Sequence, residues 1–415
     1  MKQFSFLKSN KKFPNFAFDF LAFAVCLIYF TVGIVFFLGQ LQEARKSPLW
    51  LDEKFGMDCC VQAPVVDLIV KGANGQASPA PLFYLLLKPV IFIKEKFLIR
   101  LEPEIYLRLF TICSTVFTSW ALFFIFLPLI GKNINRPLLA VTQLFILLCV
   151  PFTYFFEFLT YKHTHEMRPF AFWNSIYFLT LALALRKIEK STLFFICTIA
   201  LALCANASIF QLLTLMAAYA YLHYVKGREK SEIATSLAKI FLIPFCIALY
   251  YCFHSSRWEY HSAAWGDFYD LWSHQFSHVI LLVLLTIFCF KRQENRALAI
   301  APLSLILLFI IGPLIFLLIK LDGLFFTDRH FIYYDLIKPV TLLFLLQCLP
   351  TILNFKSQRI ILIVCFAVIF IAFFLTFRSK IISRLLHTYK SAKDFYESVP
   401  LPKLPIPTAS TLTGK

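Results

Sequence analysis

Two carboxylates stand side by side in Trp50-Leu51-Asp52-Glu53, shortly after the first long apolar run. An acidic pair among apolar residues at a membrane surface suits proton transfer, since burial raises a carboxylate pKa and a nearby cation lowers it. Taken alone, such a pair also simply solvates a loop. A second group lies in Tyr161-Lys162-His163-Thr164-His165-Glu166-Met167-Arg168-Pro169-Phe170. Lys162 and Arg168 around one carboxylate are suited to holding an anionic phosphate. His163, His165 and Glu166 are also candidate ligands for a divalent metal, although their spacing is not the helical two-histidine arrangement of zinc hydrolases. A third group, Asp328-Arg329-His330, opens a late apolar run, where Arg329 and His330 can grip a lipid phosphate or act as snorkelling anchors in an aromatic belt.

The elements that must position these residues are membrane helices. Of 415 residues, 60% are hydrophobic and only 15% charged, with a mean hydropathy of +0.74. A water-soluble chain of this length cannot bury that much apolar surface, because its exterior must tolerate water. The net charge of +17 would suit nucleic acid, but the cations fall in short clusters between apolar runs. That pattern is the positive-inside bias, and it argues against a nucleic-acid partner.

Apolar runs long enough to cross a bilayer are expected near 16–40, 106–131, 137–158, 170–186, 191–206, 208–225, 236–254, 276–290, 297–319, 331–350 and 360–377. The first follows Lys2, Lys8, Lys11 and Lys12 and is too long for a cleaved signal, so it is read as an uncleaved span. With the N-terminus inside, the cytoplasmic turns carry Lys132 and Arg136, then Arg186, Lys187 and Lys190, then Lys226, Arg228 and Lys230. Lys291, Arg292 and Arg296, and finally Lys356 and Arg359, continue the series. All three chemical groups then fall on the outer face. Residues 81–99 carry Lys88, Pro89, Lys94, Glu95 and Lys96, and counting them as a span would invert every later loop. They are expected instead as an amphipathic helix along the outer interface, with lysines snorkelling to the headgroups.

The expected fold is therefore all-α and polytopic, with about eleven transmembrane helices in a membrane domain spanning 1–378. A long first outer loop, 41–105, contains interfacial helices, and a basic then proline-rich tail occupies 379–415. Most of the twelve cysteines lie in apolar runs and read as small hydrophobes; the adjacent Cys59-Cys60 pair in the first loop is the exception. No glycine-rich nucleotide loop is present.

Taken in order, these pieces resemble the glycosyltransferase C superfamily, in the branch of protein O-mannosyltransferases and lipid A aminoarabinose transferases. That branch has an acidic pair after an aromatic residue, matched here by Trp50-Leu51-Asp52-Glu53. Its surface helix of His-Pro-Pro-Leu-Tyr-Tyr type is matched by Ser78-Pro79-Ala80-Pro81-Leu82-Phe83-Tyr84-Leu85, without the histidine. An Arg-Leu pair opening the next span corresponds to Arg108-Leu109, and a Gln-Glu-x-Arg-x-Tyr-like motif to His165-Glu166-Met167-Arg168-Pro169-Phe170. A late Arg-Tyr-like motif corresponds to Arg329-His330. Glu157 lies nearer the family's distance from the preceding Ser-Pro-like step, but only Glu166 has an arginine two residues on.

The resemblance implies an inverting glycosyltransferase that moves a sugar from a polyprenyl-phosphate donor to a lipid, glycan or protein acceptor. It implies Asp52 as general base, with Glu53 and Glu166 positioning the base or acceptor. Arg168, Arg329, Lys162 and His330 would neutralise the donor phosphate. A bacterial inner membrane with a periplasmic site and a cytoplasmic N-terminus is the preferred setting, since no eukaryotic retention signal ends the sequence, with an endoplasmic reticulum enzyme using dolichyl-phosphate sugars as the alternative. The rival expectation is a transporter or flippase of lipid-linked sugars without covalent chemistry, whose ionisable residues would lie within spans. Asp19, Asp335 and Lys338 are its candidates.

Overall fold

A computed structural model describes residues 15–49, 51–72, 80–96, 102–131, 133, 136–188, 191–205, 207–253, 265–290, 298–321, 328–353 and 382–398. All regular elements among these residues are helical. In chain order they are α1 (Asn15–Lys46), α2 (Leu51–Gly56), a π turn (Met57–Val61), α3 (Val65–Lys71), α4 (Leu82–Lys96), α5 (Pro103–Gly131) and α6 (Pro137–Phe155). There follow α7 (Phe158–His163), α8 (Pro169–Leu185), α9 (Thr192–Cys204), α10 (Ser208–Val225), α11 (Lys230–Phe253) and α12 (Trp265–Ser273). The last are α13 (Phe276–Phe290), α14 (Ile300–Leu321), a 3-10 segment (Asp328–Leu336), α15 (Ile337–Leu353) and α16 (Ile382–Ser398).

Seven helical stretches are long and apolar enough to cross a bilayer: Asp19–Lys46, Glu104–Gly131, Ser208–Val225, Lys230–Phe253, Phe268–Phe290, Ile300–Leu318 and Phe331–Thr351. Three shorter apolar helices, Leu139–Phe155, Pro169–Leu185 and Thr192–Cys204, stand where the sequence predicts further spans. The chain is a multi-pass membrane protein. The expected span at 360–377 lies outside the described residues.

Side-chain size decides how the helices meet. Gly33 of α1 leaves room for the Trp120 indole of α5, since a Cβ there would stand 2.4 Å from Nε1. Trp120 in turn stacks on Phe30, with centroids 4.9 Å apart. The Tyr29 hydroxyl donates to the Ser119 carbonyl at 2.9 Å, which fixes the antiparallel register of α1 and α5. Phe36 stacks on Phe155 of α6 at 4.4 Å and 11°. Helix α8 is the centre of the bundle: nearly every side chain from Pro169 to Leu185 is buried, as an all-round apolar helix requires. Two interior contacts tie helices together through polar side chains: Trp173 Nε1 donates to Gln211 Oε1 at 2.8 Å, and Gln143 Nε2 to the Leu346 carbonyl at 2.9 Å.

The expected interfacial segment is a helix, α4, with Phe83, Tyr84 and Leu87 buried and Phe92 and Ile93 exposed. Its lysines divide the work differently from simple snorkelling. Lys94 lies 4.7 Å from the centroid of the Tyr106 ring, while Lys88 turns inward and donates to the carbonyls of Val61 and Ala63. That contact closes the π turn, and burial pulls the Lys88 ammonium below its ordinary pKa. Cys60 of the same turn is fully buried.

The tail helix α16 is docked rather than trailing. Ser391 Oγ donates to Glu43 at 2.7 Å, Thr388 Oγ1 reaches the Tyr161 hydroxyl at 3.3 Å, and Lys46 and Asp394 pair at 3.7 Å. Gly39 makes this approach practicable: a Cβ there would stand 2.5 Å from Thr388 Cγ2 and 2.8 Å from the Thr388 carbonyl oxygen. The proline-rich end of the tail lies outside the described residues.

Candidate active site

The end of α1, the start of α5 and the turn before α8 meet at one buried ion pair. Glu53, from α2, and Arg108, from the first turns of α5, are each about 1% exposed. Arg108 Nε donates to Glu53 Oε1 at 3.1 Å and Nη2 to Oε2 at 2.6 Å, a bidentate arrangement. The remaining guanidinium protons go to the carbonyls of Ala44 (2.7 Å), Ser47 (2.6 Å) and Pro48 (3.0 Å). Ala44 is in the last turn of α1, where carbonyls lack helical partners, and Ser47 and Pro48 follow the helix, so one arginine ties down its C-terminal exit and neutralises a carboxylate. Glu53 Oε1 also accepts from the Met167 backbone N–H at 2.5 Å.

This contact joins two of the three motifs singled out in the sequence. Met167 stands between Glu166 and Arg168, both mostly buried, so the α2 segment carrying Asp52 is held against the Glu166–Arg168 turn. Arg168 is extended (φ −142°, ψ 154°) and Pro169 opens α8, which suits proline at a first helical position. Glu166 pairs with His163 Nδ1 at 3.0 Å. His165 turns the other way, and its Nδ1 lies 2.8 Å from Gln40 Oε1 on α1. The expected His163–His165–Glu166 ligand set is therefore split, and no group of three potential metal ligands is gathered among the described residues. Burial lowers the His165 pKa, with Glu166 opposing that effect. Asp52 lies within α2, and its side chain is outside the described residues.

The third motif is anchored next to the second. α6 breaks after Phe155, and α7 restarts with Glu157 in an extended conformation at its N-cap. Asp335, in the 3-10 segment that Asp328-Arg329-His330 opens, accepts the Thr160 backbone N–H at 2.6 Å. It supplies from another element the cap that α7 lacks locally. Lys338 then pairs with Glu157 at 2.7 Å, both largely buried. Arg384 of α16 donates to the Phe156 carbonyl at 2.5 Å, covering the same break. The side chains of Arg329 and His330 lie outside the described residues.

Lys162 is exposed, with Nζ 5.5 Å from the centroid of the Phe158 ring. Gln40, a buried amide late in α1, is not among the residues expected from the sequence, and Asp335 and Lys338, expected as intramembrane charges, instead clamp α7. The available signal for Gln40 was its place as the first polar side chain where the apolar run of α1 gives way to Gln42, Glu43, Arg45 and Lys46. Fold and site together define a multi-pass helical membrane protein with a charged, largely dry junction at one end of the bundle. No family model matches the chain, and no match is found among curated proteins or solved structures.

Proposed function

We propose that the chain is an inverting glycosyltransferase that moves a sugar from a polyprenyl-phosphate donor to a lipid, glycan or protein acceptor at the outer membrane face. The observation that carries the reading is the Glu53 carboxylate bound at once by Arg108 and the Met167 N–H. Trp50–Glu53, Arg108-Leu109 and His165–Phe170, which resemble motifs of that enzyme class in order, are thereby drawn together at Glu53, Arg108 and Met167.

In this reading the acceptor hydroxyl oxygen attacks the anomeric carbon as the bond from that carbon to the phosphate oxygen breaks. The polyprenyl phosphate leaves with the bonding electrons, and Asp52 takes the hydroxyl proton. A positioned base of this kind is worth about 10²–10⁴ in rate. Arg168, with Arg329 and His330, balances charge on the departing phosphate, an effect that strengthens where water is excluded. Glu53 is given a positioning role, because its oxygens are already occupied by Arg108 and Met167. Glu166 is oriented by His163 towards the same turn. Lys162, being exposed, suits an encounter with the donor headgroup rather than the transfer step.

The transporter reading has less support. Its two candidates within the tenth expected span are engaged in holding α7, Lys338 with Glu157 and Asp335 with Thr160. The reading is tested with purified protein in vesicles, supplied with radiolabelled polyprenyl-phosphate sugars and an extract of native lipids. Label appearing in a new covalent product supports it; label crossing the bilayer on an unchanged lipid supports the transporter instead.

A further inference from the structure

Helix α3 carries an apolar surface that nothing among the described residues covers. Val65, Val66, Ile69 and Val70 are each about half exposed or more, Val66 reaching 70%. At 3.6 residues per turn these four fall within an arc of about 140°. Leu68, outside that arc, is buried at 1%. Asp67 and Lys71 pair at 3.1 Å on the flank away from the apolar arc. The helix thus has an apolar face, an inward anchor and a charged edge, although it is only seven residues long.

What holds α3 in place decides what its open face meets. Two adjacent tyrosines at the end of α11 donate to its last carbonyls: Tyr250 to Val70 at 2.5 Å and Tyr251 to Ile69 at 2.6 Å. These carbonyls have no partner within α3. Along α11, the exposed residues Leu242, Cys246, Tyr250 and Phe253 form one stripe at helical spacing, as the lipid-facing side of a peripheral span does. The stripe runs directly into the α3 tether, so the apolar arc of α3 continues a surface already turned to lipid.

We propose that α3 lies in the membrane interface, with Val65, Val66, Ile69 and Val70 among the acyl chains just below the headgroups and the Asp67–Lys71 edge towards water. The first loop is then anchored to the bilayer one π turn away from α2, whatever reaction the junction performs. The partner is the bilayer itself, and a second copy of the chain is the competing occupant.

The test uses full-length protein in nanodiscs with one tryptophan added at a time: Val66→Trp and Ile69→Trp on the arc, Lys71→Trp on the charged edge. The added emission is read as the difference from the unsubstituted protein. For the first two, lipid brominated near the carbonyl should quench it about twofold or more while aqueous iodide has little effect. Lys71→Trp should show the reverse. Iodide quenching at both arc positions would place the face in water and overturn the proposal. So would protection from both quenchers together with cross-linking between two chains in vesicles, which would assign the face to a second copy. The two arc positions guard against a single substitution that disturbs folding.

Discussion

Glu53 and Arg108 lie 55 residues apart in the chain and meet across a bidentate contact, with Nη2 2.6 Å from Oε2 and both side chains almost wholly out of solvent. A pair this deep is costly to assemble and costlier to halve, because removing one partner leaves a buried charge without compensation. Arg108→Met or Glu53→Leu alone is expected to lower stability by about 3–5 kcal/mol. The combined substitution is expected to recover part of that loss, and thermal unfolding of the four proteins in detergent gives the coupling directly. Additive losses would show that the two side chains do not act as a pair.

Asp335 and Lys338 provide a second test, this time of the clamp on α7. Lys338→Met strands Glu157 and is expected to cost about 3–5 kcal/mol, whereas Asp335→Asn weakens one cap and is expected to cost about 1–3 kcal/mol. Hydrogen exchange should rise across 157–168 in both variants before it rises in α10 or α11. Unchanged exchange in that segment would remove the clamp from the account.

The docking of α16 turns on a missing side chain. Gly39→Ala places a methyl group within 2.8 Å of the Thr388 backbone oxygen, so the two helices must separate. Overpacking of this kind is expected to cost about 1–3 kcal/mol and to expose 382–398 to proteolysis. A variant whose tail stays as protected as the parent's would contradict the close approach.

His165 gives the pH dependence a definite sign. Burial holds its folded pKa below the ordinary 6.5, so the unfolded chain takes up a proton more readily. The stability associated with a neutral His165 is therefore complete above about pH 6.5 and declines as pH falls below it. The slope of melting temperature against pH in that acid range should flatten in His165→Gln, which retains a hydrogen-bonding group towards Gln40. Identical slopes in the two proteins would assign the dependence to other groups.

The apolar helices were legible in the sequence because hydropathy is a local property, but three of the ten are shorter than the seven that are long enough to cross a bilayer. α6, for example, stops at Phe155 because the chain breaks there to deliver Glu157 and α7. The motifs around Asp52, Glu166 and Arg329 were legible as residue types, and an expected resemblance in their order to a known enzyme class grouped them as one candidate site. Their junction was not legible. The Arg108–Glu53 and Asp335–Thr160 contacts join residues 55 and 175 positions apart, and no periodicity encodes such a pairing. Lys88 illustrates the same limit: its composition suggested a headgroup contact, but carbonyls freed by the π turn lay closer. The docked tail was hidden for a related reason, since Gly39 announces close approach only once the partner helix is known.

The central claim is that Asp52 removes a proton during sugar transfer. The direct measurement compares wild type with Asp52→Asn for covalent transfer from radiolabelled polyprenyl-phosphate sugars in reconstituted membranes, with matched melting temperatures as the check on folding. The account predicts transfer by wild type and a loss of about a hundredfold or more in the variant, in line with removal of a general base. Equal transfer by the two proteins would contradict it.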